Sequence, residues 1–200
     1  MNIGFPIDWA ATGSMVSGVA AFASAGAIAF GAWFGAKQWR EQKLLENKID
    51  VAQRVIRSAY RLEDSLDYIL SPVLNQEDVA QYGIESSDSI PFVADQDPML
   101  VGTIIIDRLS HCQDDIIDFR RERIDAKLFF GMAGWTAAQE FYAVTIQIRG
   151  IGFSLKRGID WPGDDDPIGR LFSSKDGDGY LSESRRKLAA LENAFLPLLD

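Results

Sequence analysis

The feature that most constrains this chain is a run of 28 residues without a charged side chain, from Trp9 to Ala36. Asp8 precedes the run and Lys37 follows it. As an α-helix the run would measure roughly 42 Å, and the hydrocarbon core of a bilayer requires only about 20 residues. A buried helix of this length would need a larger soluble domain than the rest of the chain readily supplies. We therefore predict that residues 9–36 form a transmembrane helix in a lipid bilayer.

The charged residues beside the run predict its orientation. A cleaved signal peptide would carry Lys or Arg before about 7–15 apolar residues, whereas here no Lys or Arg precedes a much longer run. Lys37, Arg40 and Lys43 follow it, and the positive-inside rule keeps such residues in the cytoplasm. We therefore predict a single-pass protein of a bacterial inner membrane, with residues 1–8 as a short external N-terminus and residues 37–200 as a cytoplasmic domain.

The run is rich in small residues, with ten Ala, five Gly and three Ser, and these recur every four positions in two rows. Rows of small residues let helix backbones approach closely in lipid, which predicts helix association with a second copy or with another membrane protein. An Ala- and Gly-rich composition alone would also produce such rows, and this alternative stays open. The first row is Gly13, Ser17, Ala21, Ala25 and Ala29, and the second is Ala23, Ala27, Gly31 and Gly35.

The residues after the run predict an all-α domain. Neither Gly nor Pro occurs between Lys37 and Ser71, and apolar residues recur three or four positions apart, so residues 37–70 are predicted as one long helix that continues from the transmembrane helix. Pro72 supplies its stop. We expect this helix to pack into a cytoplasmic bundle of about four helices. One apolar stripe is Leu45, Ile49, Ala52, Ile56, Ala59, Leu66 and Leu70, and the other is Val55, Ala59, Leu62, Leu66 and Ile69.

Capping signals and apolar spacing predict the remaining helices. Asp97 and Pro98 form a typical helix start, and Gly131 ends the helix that follows them. The segment after Gly131 mixes helical spacing with alternation at Val144, Ile146 and Ile148, but no second strand is available to pair with it, so we predict a helix. The predicted helices of this part are 98–130, 132–152 and 181–196. The segments 73–97 and 153–180 are predicted as loops, the second with an acidic run before Pro167 that caps a short helical turn.

The composition argues against several functional classes. The 200 residues include 20 basic and 29 acidic side chains, a net charge of −9, which argues against nucleic-acid binding. One Cys excludes an internal disulfide, and one His removes most zinc-hydrolase arrangements. No phosphate-binding loop, zinc-protease motif or nucleophile elbow occurs. We therefore predict that the chain is not an enzyme and carries no cofactor.

His111 and Cys112 are the first pair of chemically versatile residues. As neighbours on one predicted helix they point about 100° apart, so they cannot act together as nucleophile and base. Cys112 falls on the apolar stripe of the helix and is predicted to be a small core residue. Asp107 and Asp115 lie one turn away from His111 on either side, and these carboxylates would raise its pKa if they faced it. A solvated surface histidine is the expected outcome, with pH sensing as the alternative.

Residues 174–185 resemble the middle of an EF-hand calcium loop. Taking Gly179 as the sharp-turn glycine, Asp176, Asp178, Tyr180 and Ser182 occupy ligand positions, and this resemblance implies a calcium site. The pattern departs from the EF-hand at both ends, because Ser174 stands at the first position and Arg185 at the twelfth, where a bidentate Glu is needed. Local turn chemistry before a helix would give the same string.

The order of elements resembles that of uncharacterised single-pass bacterial inner-membrane proteins. The resemblance rests on the Ala- and Gly-rich span, on the segment from Trp39 to Lys43 and on Phe129-Phe130-Gly131. It implies a helical cytoplasmic domain and brings no catalytic residues. We predict a membrane-anchored scaffold or interaction protein. The alternatives are an oligomerising membrane-perturbing effector of the toxin or defence type and an accessory subunit of a larger membrane complex.

Overall fold

The computed structural model describes residues 9–84, 92–159, 166–173 and 179–198, with side chains for all of these except residues 9–16, 18–21, 77 and 198. Within these ranges every regular element is helical, apart from an isolated antiparallel bridge between Val73 and Phe92, which confirms the all-α prediction. The α-helices are α1 (Trp9–Ile69), α2 (Gln76–Tyr82), α3 (Pro98–His111), α4 (Gln113–Lys156), α5 (Pro167–Phe172) and α6 (Tyr180–Phe195), and 3-10 turns cover Val93–Asp95 and Leu196–Leu198.

The chain divides into two compact units, Met1–Asn47 and Lys48–Asp200. In the first unit every described side chain is exposed, including large apolar ones. Phe22 is 84% exposed, and the rings of Trp33 and Phe34 have their centroids 6.1 Å and 6.4 Å from that of Phe30. The exposed large apolar residues of this unit are Phe22, Ile28, Phe30, Trp33, Phe34, Trp39, Leu44 and Leu45.

Residues 9–36, predicted as a transmembrane helix, form the first part of α1. Among the described residues, no helix combines the length and the apolar character that a membrane crossing requires. The predicted span, residues 9–36, includes residues 9–16 and 18–21, whose side chains lie outside that description. The external N-terminus predicted for residues 1–8 lies outside it altogether.

In the second unit, α1 contributes one buried face to the hydrophobic core. The predicted stripe from Val55 to Ile69 is fully buried, since each of its five residues is 0% exposed. The other predicted stripe is correct only from Ala52 onward, because Leu45 is 52% exposed and belongs to the first unit. Its spacing continues without a break across the boundary between the units, so periodicity alone could not locate where burial begins.

The helix predicted over 98–130 is two helices, α3 and α4, separated at Cys112. The predicted start is confirmed: the Asp97 carboxylate accepts a hydrogen bond from the Met99 N–H at 2.9 Å, and Pro98 stands in the first turn. The single helix is wrong because Cys112 has φ −93° and ψ 13°, which ends α3. The apolar spacing runs through this break undisturbed, so the stripe gave no sign of it.

Gly131 divides α4 into segments 113–130 and 132–156, as the sequence predicts. Its φ of 65° and ψ of −147° lie in a region that only glycine adopts readily. The second segment folds back along the first. As a result, the ring of Phe119 lies 5.3 Å from that of Phe141 in an edge-to-face arrangement. The helix prediction for 132–152 is therefore correct in kind, but this segment continues to Lys156.

Helices α3 and α4 approach each other closely where Gly102 lies against Gly152, and α4 continues past this contact to Lys156. A Cβ on Gly102 of α3 would lie 2.7 Å from the carbonyl oxygen of Gly152, and a Cβ on Gly152 would lie 2.9 Å from Cγ2 of Ile105. Real Cβ atoms do not approach other atoms so closely, so both positions need glycine. Gly102 and Gly152 therefore allow α3 to pack tightly against α4.

Both predicted loops contain short capped helices. In the segment 73–97, the Asn75 side chain accepts from the Asp78 N–H at 2.7 Å, and the Asp78 carboxylate accepts from the Asn75 N–H, which forms a capping box for α2. In the segment 153–180, Asp166 caps α5 by accepting from the Ile168 N–H at 3.1 Å. Helices of seven and six residues are too short to show apolar periodicity, so only their caps could reveal them.

The last helix, α6, agrees with the prediction for 181–196. Leu188, Leu191 and Phe195 are buried, whereas Leu181 is only half-buried. The ring of Phe195 lies 4.7 Å from that of Phe130 on α4 in an edge-to-face arrangement. This contact places the end of α6 beside the turn at Gly131.

Candidate functional site

The small-residue rows in α1 are exposed wherever their side chains are described. A Cβ added to Gly26, Gly31 or Gly35 would meet nothing within 4 Å. Gly13 and Ala21 lie outside the described side chains, whereas Ser17, Ala25, Ala29, Gly31 and Gly35 are all exposed. In the described part of the first unit, the rows therefore present open surface, and the helix association predicted from them stays a prediction.

The segment that resembles a calcium loop is only partly described. Asp176 and Asp178 lie outside the described residues, whereas Tyr180 and Ser182 lie in the first turn of α6. Tyr180 is 8% exposed, and the Arg170 guanidinium lies 5.2 Å from the centre of its ring. Among the described residues, no group of three or more His, Cys, Asp or Glu side chains could hold a metal ion.

Arg185, which stands where an EF-hand has its bidentate glutamate, is engaged with α1. Its Nε donates to the Glu63 carboxylate at 3.0 Å, and its Nη2 donates to the Asp67 carboxylate at 3.1 Å. The hydrogen bond to Glu63, together with the negative charge of Asp67, raises the pKa of the Arg185 guanidinium. Arg185, at the twelfth position of the calcium-loop pattern, therefore attaches α6 to α1.

The two acids that the sequence placed one turn from His111 accept hydrogen bonds from other residues. Asp107 accepts a hydrogen bond from the Tyr82 hydroxyl at 2.6 Å, and Asp115 accepts one from the Ser65 hydroxyl at 2.7 Å. His111 is the exposed last residue of α3, as expected for a surface histidine. Cys112 is half-buried at the helix junction rather than on the buried face of a continuous helix.

The reactivity of Cys112 gives a testable pH dependence. Burial, reinforced by the charge of Asp115, raises the pKa of the Cys112 thiol. Because the thiolate is the nucleophile, a raised pKa leaves less of it at a given pH. We expect folded protein to react with iodoacetamide more slowly than glutathione at pH 8, with a rate that still rises at pH values where glutathione has levelled off. In denaturant the two rates should become equal. A folded-state rate equal to that of glutathione at every pH would contradict this account.

The most elaborate polar arrangement among the described residues surrounds Arg108, a side chain that the sequence analysis did not single out. Arg108 lies on α3, is 2% exposed, and forms a 2.6 Å ion pair with Asp78 of α2. Its Nη1 and Nη2 also point to carbonyl groups at the end of α1 and in the segment after it, whereas its Nε has no hydrogen-bond partner. Its guanidinium donates to the carbonyl oxygens of Tyr68 at 3.4 Å, Ile69 at 3.2 Å, Ser71 at 2.8 Å and Val73 at 3.1 Å.

These contacts give Arg108 a structural role. The last carbonyl groups of a helix have no partner inside it, and a cation at this end also interacts favourably with the helix dipole. Arg108 therefore caps α1, while Asp78 neutralises its charge and joins α2 to α3. A second contact between these helices runs from the Tyr82 hydroxyl to Asp107, and burial and this hydrogen bond raise the pKa of Tyr82.

A cavity of about 240 Å³ lies between the end of α3 and the two segments of α4. Its wall combines apolar residues with a few polar ones, and it includes no Asp or Glu. Thr145 in the wall is 1% exposed, and its hydroxyl has no hydrogen-bond partner. The wall consists of Ile106, Leu109, Ser110, Gln113, Ile116, Ile117, Arg120, Tyr142, Thr145, Ile146, Arg149 and Phe153.

A half-buried arginine, Arg123, supports one wall of this cavity. The Arg123 guanidinium lies 4.3 Å from the ring centre of Tyr142 and 4.9 Å from that of Trp135. Burial lowers the pKa of Arg123, and its Nε and Nη1 have no hydrogen-bond partner. Arg123 therefore interacts with the faces of two rings of the returning segment, which fixes the Tyr142 ring in the cavity wall.

The comparisons with known proteins add no relative to this description. No protein-family model matches the chain, and no curated protein or solved structure is similar to it. The candidate site is therefore defined by its own geometry: a half-apolar cavity with two arginines, in a chain of net charge −9.

Proposed function

We propose that this chain is a membrane-anchored helical interaction protein at the cytoplasmic face of a bacterial inner membrane. In this proposal, residues 9–36 lie in lipid and the domain from Lys48 onward binds another protein. The observation that carries it is the exposure of large apolar residues in the first unit, such as Phe22 at 84% and Ile28 at 73%. Exposing apolar surface to water costs about 25 cal/mol per Å², and lipid would remove this cost.

The proposed partner surface lies on α4. Ile124 and Leu128 are one helical turn apart and are 52% and 74% exposed, and Met132 follows Gly131 at 67%. Exposed apolar side chains that are grouped in this way mark surfaces for protein contacts. Residues 71–200 contain 13 basic and 22 acidic residues, which favours a partner with a basic surface. Another membrane protein with a basic cytoplasmic surface would meet these requirements.

The orientation can be tested by labelling single cysteines in spheroplasts. In a Cys112→Ser background, Gly4→Cys is expected to react with a membrane-impermeant maleimide in intact cells, because the positive-inside rule places residues 1–8 outside. Arg186→Cys lies on the exposed side of α6 and should react only after lysis. Labelling of Arg186→Cys in intact spheroplasts would contradict the orientation. Protection of both cysteines until lysis would contradict the external N-terminus.

A dye-leak measurement separates the anchored interaction protein from the membrane-perturbing effector. In the effector, the small-residue rows would assemble a pore, whereas an interaction protein uses the same helix as an anchor. We expect overexpression to leave the membrane potential intact. Depolarisation that Gly31→Leu abolishes would favour the effector, because the larger side chain would block close packing of the helices.

A further inference from the structure

We propose that the cavity between α3 and the two segments of α4 binds a small amphiphilic anion, namely a carboxylate with an apolar tail of about six to eight carbon atoms. This inference does not depend on the proposed function, because every residue of the cavity lies in the unit from Lys48 onward. It rests on three observations: the charge of the cavity wall, a buried hydroxyl without a partner, and the size of the apolar part.

The charge of the wall selects an anion. Arg120 and Arg149 are the charged residues of the wall, both are exposed, and neither forms an ion pair with another described residue. The Arg149 guanidinium lies 5.6 Å from the ring centre of Phe153, also in the wall. Arg54, in contrast, forms ion pairs with Glu122 and Asp125. A planar guanidinium without such a partner is suited to bind a carboxylate through two hydrogen bonds.

The hydroxyl of Thr145 is the second observation. Buried polar groups almost always have a hydrogen-bond partner, and an unpaired one destabilises the protein. Thr145 is 1% exposed, and its hydroxyl has none. A threonine on a helix has two accessible rotamers, so its hydroxyl can turn to a bound oxygen. The same threonine lines the cavity that contains both arginines, and a bound carboxylate would provide the missing acceptor.

The apolar part of the cavity determines the rest of the ligand. Ile106, Leu109 and Ile116 form an aliphatic surface inside the wall. The volume of about 240 Å³ corresponds to about eight water-sized groups, since a water molecule occupies about 30 Å³ in the liquid. An anion without an apolar tail would leave this aliphatic surface in contact with water. A neutral hydrocarbon would leave the two arginines without an ion-pair partner. A carboxylate with a short tail satisfies both parts.

Isothermal titration of the full chain in lipid nanodiscs with octanoate tests the proposal. We expect saturable binding with one octanoate per chain, after subtraction of the heat from empty nanodiscs. Octanol and acetate should each bind at least about tenfold more weakly, because octanol lacks the charge that the arginines bind and acetate lacks the tail that the aliphatic surface buries. Equal affinity for octanol would overturn the role of charge. Equal affinity for acetate would overturn the role of the tail.

Matched variants locate the binding. Arg120→Gln with Arg149→Gln should weaken octanoate binding at least about tenfold, and Thr145→Val should weaken it about two- to fivefold. Arg57→Gln with Arg186→Gln removes two exposed arginines elsewhere in the same unit and should leave the affinity unchanged. Thermal unfolding followed by circular dichroism identifies variants that still fold. Binding that survives in the folded Arg120→Gln/Arg149→Gln protein, or that equals the heat from empty nanodiscs, would overturn the site.

Discussion

Replacing Arg108 by methionine is expected to lower the free energy of unfolding by about 3–5 kcal/mol, because breaking a buried ion pair leaves an uncompensated charge. The Asp78 carboxylate, now 2.6 Å from the guanidinium, would remain in place without its cation. The carbonyl groups of Ser71 and Val73 would also lose donors at 2.8 Å and 3.1 Å. Equilibrium urea unfolding of the full chain in detergent, followed by circular dichroism, measures the change.

Two further variants make this prediction specific. Arg57→Met removes an exposed arginine from α1 and should change the stability by less than about 0.5 kcal/mol. Adding Asp78→Leu to Arg108→Met should recover part of the loss, because an apolar pair replaces a buried ion pair better than a lone charge does. A loss below about 1 kcal/mol for Arg108→Met would show that Arg108 does not hold α1, α2 and α3 together.

Replacing Ala27 by arginine is expected to shift the protein from the membrane fraction to the soluble or aggregated fraction. Ala27 lies inside the uncharged run, nine residues before its end at Ala36, and an arginine deep in a transmembrane helix costs up to about 2.5–3.5 kcal/mol on insertion scales. In water the same change would be nearly neutral, because Ala27 is exposed and arginine is a good helix former. Extraction of membranes with alkaline carbonate, followed by immunoblotting, measures the distribution.

Ala36→Arg is the matched control for Ala27→Arg. Ala36 is also an exposed alanine of α1, but it stands beside Lys37 at the end of the run. An arginine there can extend its charge to the membrane surface and adds to the positive flank, so the variant should stay in the membrane fraction. If both variants distribute as the unchanged chain does, the run is not surrounded by lipid.

Local backbone chemistry was the part of the fold that could be predicted best. Asp97 and Pro98 start α3, and Gly131 ends the first segment of α4, because a cap and a positive φ depend on only a few neighbouring residues. The all-α class also followed from the spacing of apolar residues. Cys112 could not be predicted in the same way, because the apolar spacing continues across the junction that separates α3 from α4.

The residues of the candidate site could not be predicted, because their contacts join segments that lie far apart in the sequence. Arg108 lies one helical turn after Ile104 and Ile105 on the apolar face of α3, and an arginine in this position was a signal of a buried ion pair that sequence reasoning passed over. Its partner Asp78 belongs to α2, which was predicted as loop, although Asn75 and Asp78 have the spacing of a capping box. The cavity around Thr145 arises only when α4 folds back at Gly131, and no local pattern specifies this packing.

Hydrogen–deuterium exchange of the full chain in its native membranes tests most directly whether lipid surrounds the uncharged run. Residues 22–36 and 37–47 belong to the same helix, and their side chains are all exposed, so in water their amides should exchange at similar rates. If the first segment lies in lipid, the amides of residues 22–36 should exchange far more slowly than those of residues 37–47. Equally fast exchange in both segments would contradict the membrane anchor and the function proposed from it.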